Sequence, residues 1–485
     1  MGTAKKKRTK KRKRQRRGLY ALAVLLFVLL LILLVLLYMI SAREKTQTRT
    51  EEYQEFSVKE PEAEEVFTGL RGVETARPAS VDRFGTYGVY LRLEGSVTPP
   101  EGKEISHVSL CFQQAYETRQ KEEESSQFQA MYQKLLSGTE VFTTASFLNE
   151  GIVLDLLPEG EAVCCLRVAY TDETSEYLNF SDNSGMDPVD YYTLTRNGEN
   201  RHIRMAFVSD SNGTYLSYRC EAAPLPDEVY DIVLDAGHGG RDTGAISGEF
   251  VERDLTFSYV TELKELLEKE GYKICLSRDG TEDKQADMAY MMYDENGRVN
   301  VACRSKAKLS LSIHFNSLAS KEVHGIEIYN SSKNNTRFAK ALADRLVEES
   351  GASYSTKNRD MILPGVYERT YTAEEIAKAE DKAAELQTEP LPRDLDTDYY
   401  FIIRELGELW TGAYVDGRGS TKYGENLFRD KNAGLESYLL ELGYISNTAE
   451  IKNIVTNQSA YTKAIAESVT AWHDGLYDAQ TGESQ

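Results

Sequence analysis

The sequence predicts an α/β domain at the carboxyl end, built on a mainly parallel sheet flanked by helices. A β-rich, sandwich-like domain and an N-terminal transmembrane helix precede it. Three observations carry this. From Tyr230 onward short apolar runs alternate with segments of helical spacing, the pattern of βαβ units. Between residues 66 and 222 short runs of near-alternating polarity are divided by Gly, Pro, Asn and Asp, the spacing of antiparallel strands. Residues 18–42 carry no charge, and residues 5–17 are nearly all Lys and Arg.

At 485 residues the chain is too long for one ordinary core, so two folded units with accessories are expected. The uncharged run of 18–42 is long enough to cross about 30 Å of hydrocarbon as a helix. The basic flank 5–17, read alone, also fits a nucleic-acid patch. Placed directly before an apolar span, it holds the amino terminus in the cytoplasm. No small-residue cleavage site follows, so the segment reads as an uncleaved anchor, with everything after Arg43 outside the cytoplasm. The formal net charge is −20, and the anchor flank holds a large share of the cations. The remainder is more acidic still and repels nucleic acid.

Residues 43–65 are polar and glutamate-rich, as expected of a solvated stalk. Within 66–222 the runs GVYLRLEGSV, HVSLCFQQAY, GIVLDLLPEG, AVCCLRVAYT and HIRMAFVS are expected strands, with one helical insert over Gln127–Leu136. No His, Asp, Glu or Ser constellation in this domain suggests chemistry; a spacer or binding module is the default. None of the six cysteines has C-x-x-C spacing, which argues against a thiolate zinc site. The two prolines near 222–227 mark a linker into the catalytic domain, 228–478. Residues 479–485 read as a disordered tail.

In the catalytic domain Tyr230–Gly240 reads YDIVLDAGHGG. An apolar strand runs into a glycine loop holding His238, where open α/β sheets put their chemistry. A tight turn with an exposed histidine is the plain alternative. Leu255, Tyr259, Leu263, Leu266 and Leu267 share one face of a helix ending at Gly271. Tyr272–Leu276 is the next strand, Arg298–Lys308 a helix, Leu309–Ile313 a strand ending at His314, and Gly325–Tyr329 another strand. Phe338, Leu342 and Leu346 mark a helix; Leu435–Leu440 is a late strand ending at Glu441, and an amphipathic helix runs from about Ser459.

Three strands therefore end in His238, His314 and Glu441. In a parallel sheet those ends converge on one edge. Two histidines and a carboxylate are a common ligand set for catalytic zinc. The third ligand is best sought in Glu252, with Glu249 and Asp254 as neighbours and a helix-start carboxylate as the plain reading. His324 is a further candidate ligand. His107, His202 and His473 read as surface or packing residues.

The ordered blocks VLDAGHGGRDTGAISGEFVERDL, LSRD, LSLSIHFNS and LLELGYISN resemble the zinc-dependent N-acetylmuramoyl-L-alanine amidases of the amidase-3 type. The resemblance covers roughly Asp231 to Leu476. It implies zinc ligands at His238, Glu252 and His314, and a catalytic glutamate at Glu441. Asp242, Arg278, Arg298 and Asn316 also match, as supporting or substrate-contacting residues. Arg253 and Phe315 depart from the pattern and are expected to leave the ligands unaffected. The implied activity is zinc-dependent hydrolysis of the amide joining N-acetylmuramic acid to L-alanine in peptidoglycan. A silent wall-binding or division scaffold, and another zinc amidohydrolase or peptidase on the same fold, are the alternatives.

Between His314 and Glu441 the chain is longer than a compact sheet requires. The excess, 353–423, reads as an insertion with a helix over TAEEIAKAEDKAAELQ, an amphipathic stretch from Tyr399 to Trp410 and a glycine-rich return. It is either inert elaboration or a lid over the zinc. A protein partner is expected, if anywhere, on 66–222 or on this insertion.

Overall fold

The computed structural model describes residues 77–114, 132–144, 151–181, 183, 185–195, 200–210, 213–286, 294–385, 394–407 and 433–478. All fall within one compact unit. Among them no helix is long and apolar enough to cross a membrane. The expected cytoplasmic tail, membrane span and stalk lie outside the described residues, as do the expected tail at 479–485 and the return at 412–424.

Residues 79–222 form two facing sheets. One is built on the antiparallel hairpin Ser80–Tyr87 and Tyr90–Ser96. The other runs through Val189–Tyr192, Arg201–Asp210, Gly213–Ala222, Gly160–Tyr170, Ile105–Gln114 and Tyr132–Leu135 in that spatial order. Their inner faces meet in one apolar core that includes Phe84, Leu93, Leu110, Phe112, Leu166, Met205 and Leu216. The rings of Phe84 and Phe207, and of Phe112 and Tyr218, cross edge to face at 5.0 Å. Two expectations fail here. The described part of the expected helix 127–136 is the strand Tyr132–Leu135, paired antiparallel to Ile105–Gln114. An edge ladder satisfies that backbone as a helix would, and packing chose the ladder. GIVLDLLPEG gives only the two-residue strand Ile152–Val153 and a 3₁₀ turn at Leu154–Leu156.

The catalytic domain is a seven-stranded sheet. Its strands are β1 (Ile232–Ala236), β2 (Ile274–Leu276), β3 (Leu309–Asn316), β4 (Glu327–Asn330), β5 (Met361–Leu363), β6 (Val366–Glu368) and β7 (Glu436–Tyr444). The spatial order is β2-β1-β3-β7-β4-β6-β5. The first four are parallel; β4 runs antiparallel to β7, and β6 parallel to β4. β1, fully buried on both faces, is an unbroken apolar run up to Asp235, as a central parallel strand requires. Helices α1 (Glu252–Lys269), α3 (Thr336–Ser350), α6 (Thr448–Thr456) and α7 (Gln458–Asp478) cover one face. Here α2 is Arg298–Arg304 and α5 is Phe401–Leu406, and these two cover the other. The C-terminal helix expected from about Ser459 is α7; α6, which precedes it and ends ahead of Asn457, is an additional helix absent from the sequence expectations.

The expected insertion also starts too early. Ile326 donates to Ser353 and Ser355 donates to Ile326, so residues 353–355 lie along the strand leading into β4. β5 and β6 then extend the sheet. These strands are three residues each, too short to show a period in sequence. Beyond them α4 (Ala373–Glu385) buries only Ala383, as its poverty in large apolar residues implies.

The sandwich adjoins the edge of the sheet opposite the carboxyl ends of β1, β3 and β7. Ala433–Gly434, just ahead of β7, pairs parallel with Thr86–Tyr87 of the sandwich. Tyr87 donates to Asn334, Thr195 N–H to Asp231 at 2.9 Å, and Lys306 pairs with Asp190 at 2.8 Å. Val89, Tyr90, Val153 and Leu194 of the sandwich bury Leu476 of α7.

Candidate active site

The site is built where β1, β3 and β7 deliver their carboxyl ends. Register sets Ala236 beside Ile313 and His314 beside Glu441, so the three strand ends lie side by side. His238 follows β1 with φ of +66°, a left-handed conformation uncommon for a residue with a Cβ and typical of functional turns. Glu252 is the first residue of α1, delivered by the hairpin Ile246–Ser247/Phe250–Val251.

Ligand-competent atoms of His238, Glu252 and His314 all lie within 4.8 Å of one another. His238 Nε2 is 2.9 Å and His314 Nδ1 3.3 Å from Glu252 Oε1. The donor set is that of a zinc site with three protein ligands and an open position. The glycine loop is shaped around these groups. A Cβ on Gly237 would stand 2.4 Å from the His314 ring, and one on Gly244 would stand 2.6 Å from Glu252 Oε2 and 2.7 Å from His238 Nε2. Donor chemistry and cradle both fit a bound zinc ion.

The surrounding residues hold the ligands in place. Asp242 Oδ2 meets His238 Nδ1 at 2.9 Å, which leaves Nε2 as the metal-facing nitrogen. Ala245 N–H and Phe315 N–H each donate to the Glu252 carboxylate, at 2.8 and 3.0 Å. Arg298 Nε donates to Asp235 Oδ1 at 2.6 Å, Ser312 Oγ to Asp235 Oδ2 at 2.5 Å, and Arg298 Nη1 to the His238 carbonyl at 3.4 Å. Arg298 therefore buttresses the loop from below. Arg278 does the same from the side, donating to the carbonyls of Ala236 at 3.0 Å and Arg253 at 2.7 Å. Asn316 reaches Glu327 Oε2 at 3.2 Å, not the ligand triad.

Electrostatics follow from this packing. Burial alone would lower the His238 pKa, but the Asp242 and Glu252 carboxylates outweigh it and raise the value to about 9. Burial opposes the charge on Glu252, yet hydrogen bonds from His238 and His314 hold its carboxyl well below the usual range. Burial lowers His314. Asp235 is buried too, and Arg298 with two serine hydroxyls holds it low. Burial, with the neighbouring carboxylates of Glu252 and Glu327, raises the Glu441 carboxyl well above its ordinary 4.5. Among the described residues, Glu441 Oε2 has no hydrogen-bond donor.

The rival carboxylates Glu249 and Asp254 are exposed, and His324 bonds only the Glu322 carbonyl at 2.9 Å, outside the triad. His202 pairs with Asp190, and buried His473 meets Tyr272 OH at 2.9 Å. Sequence reasoning missed Asp235 and Glu327. Both are acids inside otherwise apolar strands, IVLDA and GIEIY, and that misplacement was the available signal.

An open α/β sheet with two histidines and a carboxylate clustered at its edge, and a second carboxylate beside them, defines a candidate metal-dependent hydrolase. Residues 232–375 match the amidase-3 family, described as N-acetylmuramoyl-L-alanine amidase. The germination-specific N-acetylmuramoyl-L-alanine amidase of Bacillus subtilis is 29% identical over 137 residues, 27% of this chain and 57% of that protein. The N-acetylmuramoyl-L-alanine amidase LytC of the same organism is 28% identical over 141 residues, 29% of this chain and 27% of that one. The solved catalytic domain of CwlV, the N-acetylmuramoyl-L-alanine amidase of Bacillus (Paenibacillus) polymyxa var. colistinus, aligns at 20% identity over 51% of this chain and 99% of that one, with a TM-score of 0.30. The family match covers the segments that carry His238, Glu252 and His314, and the chain spans about half the length of the germination-specific relative.

Proposed function

We propose that the whole protein is a membrane-anchored zinc amidase that hydrolyses the bond between N-acetylmuramic acid and L-alanine in peptidoglycan outside the cytoplasm. The observation that carries this is the convergence of His238, Glu252 and His314 within 4.8 Å at the strand edge shared with Glu441. The anchor rests on the uncharged run 18–42 and its basic flank.

His238, Glu252 and His314 would hold a zinc ion, which would supply Lewis acidity toward the amide carbonyl and the attacking water. Glu441, with Oε2 open, takes the proton from that water and returns it to the departing amine of L-alanine. Asp242 fixes the His238 tautomer, and the glycines at 237 and 244 leave room for the ligand rings. Metal binding requires His238 to give up its proton, so zinc affinity weakens as pH falls below about 9.

The test is metal analysis of the full-length protein and its His238→Ala and His314→Ala variants, alongside hydrolysis of purified cell walls. One zinc per wild-type chain, lost with activity in both variants, is expected. Wall hydrolysis that survives complete chelation would overturn the zinc reading.

A further inference from the structure

Glu441 does not sit alone on its face of the sheet. Glu327 lies directly opposite it in the antiparallel β4–β7 pair, so both side chains leave the sheet on the same side. Glu327 is fully buried. A buried carboxylate survives only if its oxygens are satisfied, and these are. Its Oε2 accepts from Tyr329 OH at 2.7 Å, Lys357 Nζ at 3.0 Å and Asn316 Nδ2 at 3.2 Å. Its Oε1 accepts from Ser355 Oγ at 2.7 Å and from Tyr444 OH. The lysine ammonium and the asparagine amide nitrogen offer only hydrogens, so Oε2 is an acceptor facing a cation.

Lys357 is as constrained as its partner. It lies over the rings of Tyr329 and Tyr367, at 5.5 and 5.7 Å from their centroids, and donates to Tyr329 OH at 2.7 Å. Its own carbonyl accepts from Tyr367 OH at 2.7 Å. A long flexible cation pinned between two aromatic rings is not a casual surface lysine. Its position is notable too: Ser355 and Lys357 come from the segment that sequence spacing assigns to an insertion, yet both bond Glu327, the residue opposite Glu441.

We propose that Lys357, acting through Glu327, is a positioning residue for Glu441 in amide hydrolysis. The inference rests on the reading of Glu441 as the proton-transferring carboxylate. Two carboxylates opposite one another on a poorly solvated face repel. With the Glu327 charge balanced by the Lys357 ammonium and both its oxygens engaged, Glu441 keeps its place beside the ligand triad with Oε2 unengaged. Without Lys357 it faces an uncompensated anion. The defect is then one of charge placement, not of folding or metal capture.

The experiment uses the full-length protein with zinc bound, wall fragments as substrate, and the variants Lys357→Met, Lys357→Arg, Glu327→Gln/Lys357→Met and Glu441→Gln. Lys357→Met is expected to lower kcat about tenfold or more, a barrier rise of about 1.4 kcal/mol per decade, with KM and zinc content unchanged. Lys357→Arg, which keeps the charge, is expected to recover most of the loss. So is the double variant, because the glutamine removes the anion that the lysine balanced. Wild-type kcat in Lys357→Met, or a double variant no better than that single one, would overturn the pair's role. Glu441→Gln separates the two readings: wild-type turnover there sinks Glu441 as the proton carrier, whatever the lysine variants do.

Discussion

At the residue scale, ligand orientation depends on groups that never touch a metal. Asp242 bonds His238 Nδ1 at 2.9 Å, and Asp235 with Arg298 supports the loop backbone beneath it. Such outer partners set tautomer and ring angle, and losing one costs about 10–100-fold in metal affinity. Asp242→Ala is therefore expected to lose zinc to a competing chelator at about 10–100-fold lower chelator concentration than wild type, with an unchanged far-ultraviolet dichroism spectrum. Gly244→Ala should do at least as much, because its new methyl would meet Glu252 and His238 directly. Equal chelator resistance in both variants would show that the loop does not shape the site. His238, His314 and Glu441 were legible as residues, because acids and histidines rarely end apolar strands without cause; Glu252, at a helix start, was legible only through its neighbours and the family resemblance. Lys357 was not. Its role exists only once Ser353–Ser355 pairs beside the entry to β4, and no local pattern announces that pairing.

At the element scale, β7 joins both ends of the domain. Its middle carries Glu441, and its first residue, Glu436, is buried beside the sandwich hairpin with Oε2 accepting no hydrogen bond. Burial alone pushes the Glu436 carboxyl up from 4.5 to about 8. Below about 4.5 the group is neutral in folded and unfolded chains alike. Between 4.5 and 8 only the unfolded chain ionises, so stability falls by about 1.4 kcal/mol per pH unit and levels off above 8. Glu436→Gln removes that slope. Denaturant midpoints of the two proteins at pH 5 and pH 8 are expected to show the variant gaining on wild type as pH rises; parallel profiles would place the carboxylate in water. Elements with a long period, such as α1 and α3, read directly from their leucines, and Leu342→Ala in α3, fully buried, should cost about 2–5 kcal/mol. The strands Met361–Leu363 and Val366–Glu368 and the edge strand Tyr132–Leu135 did not read, because their state is set by a partner strand and not by their own sequence.

At the scale of the whole molecule, the sandwich is not loosely tethered. It shares a ladder with residues 433–434, ion-pairs through Asp190 and Lys306, and covers Leu476 of α7. These contacts lie at the sheet edge opposite the carboxyl ends of β1, β3 and β7. Calorimetry of the intact protein is expected to show one cooperative transition for residues 77–478. Removing the sandwich would uncover Leu476 and strand Asp231 without its Thr195 partner, and should lower the midpoint of the remaining domain by several degrees. Two resolved transitions, with the isolated domain as stable as the whole, would contradict the shared interface.

The central claim is that this edge performs zinc-dependent amide hydrolysis with Glu441 moving the proton. Mass spectrometry of purified peptidoglycan treated with the zinc-loaded full-length protein tests it most directly. Glycan fragments with free lactyl carboxyls and stem peptides with a free L-alanine amine are expected. It predicts that Glu441→Gln, still holding zinc, makes them about 10²–10⁴-fold more slowly. Cleavage at a glycosidic or peptide–peptide bond, or products from Glu441→Gln at the wild-type rate, would contradict it.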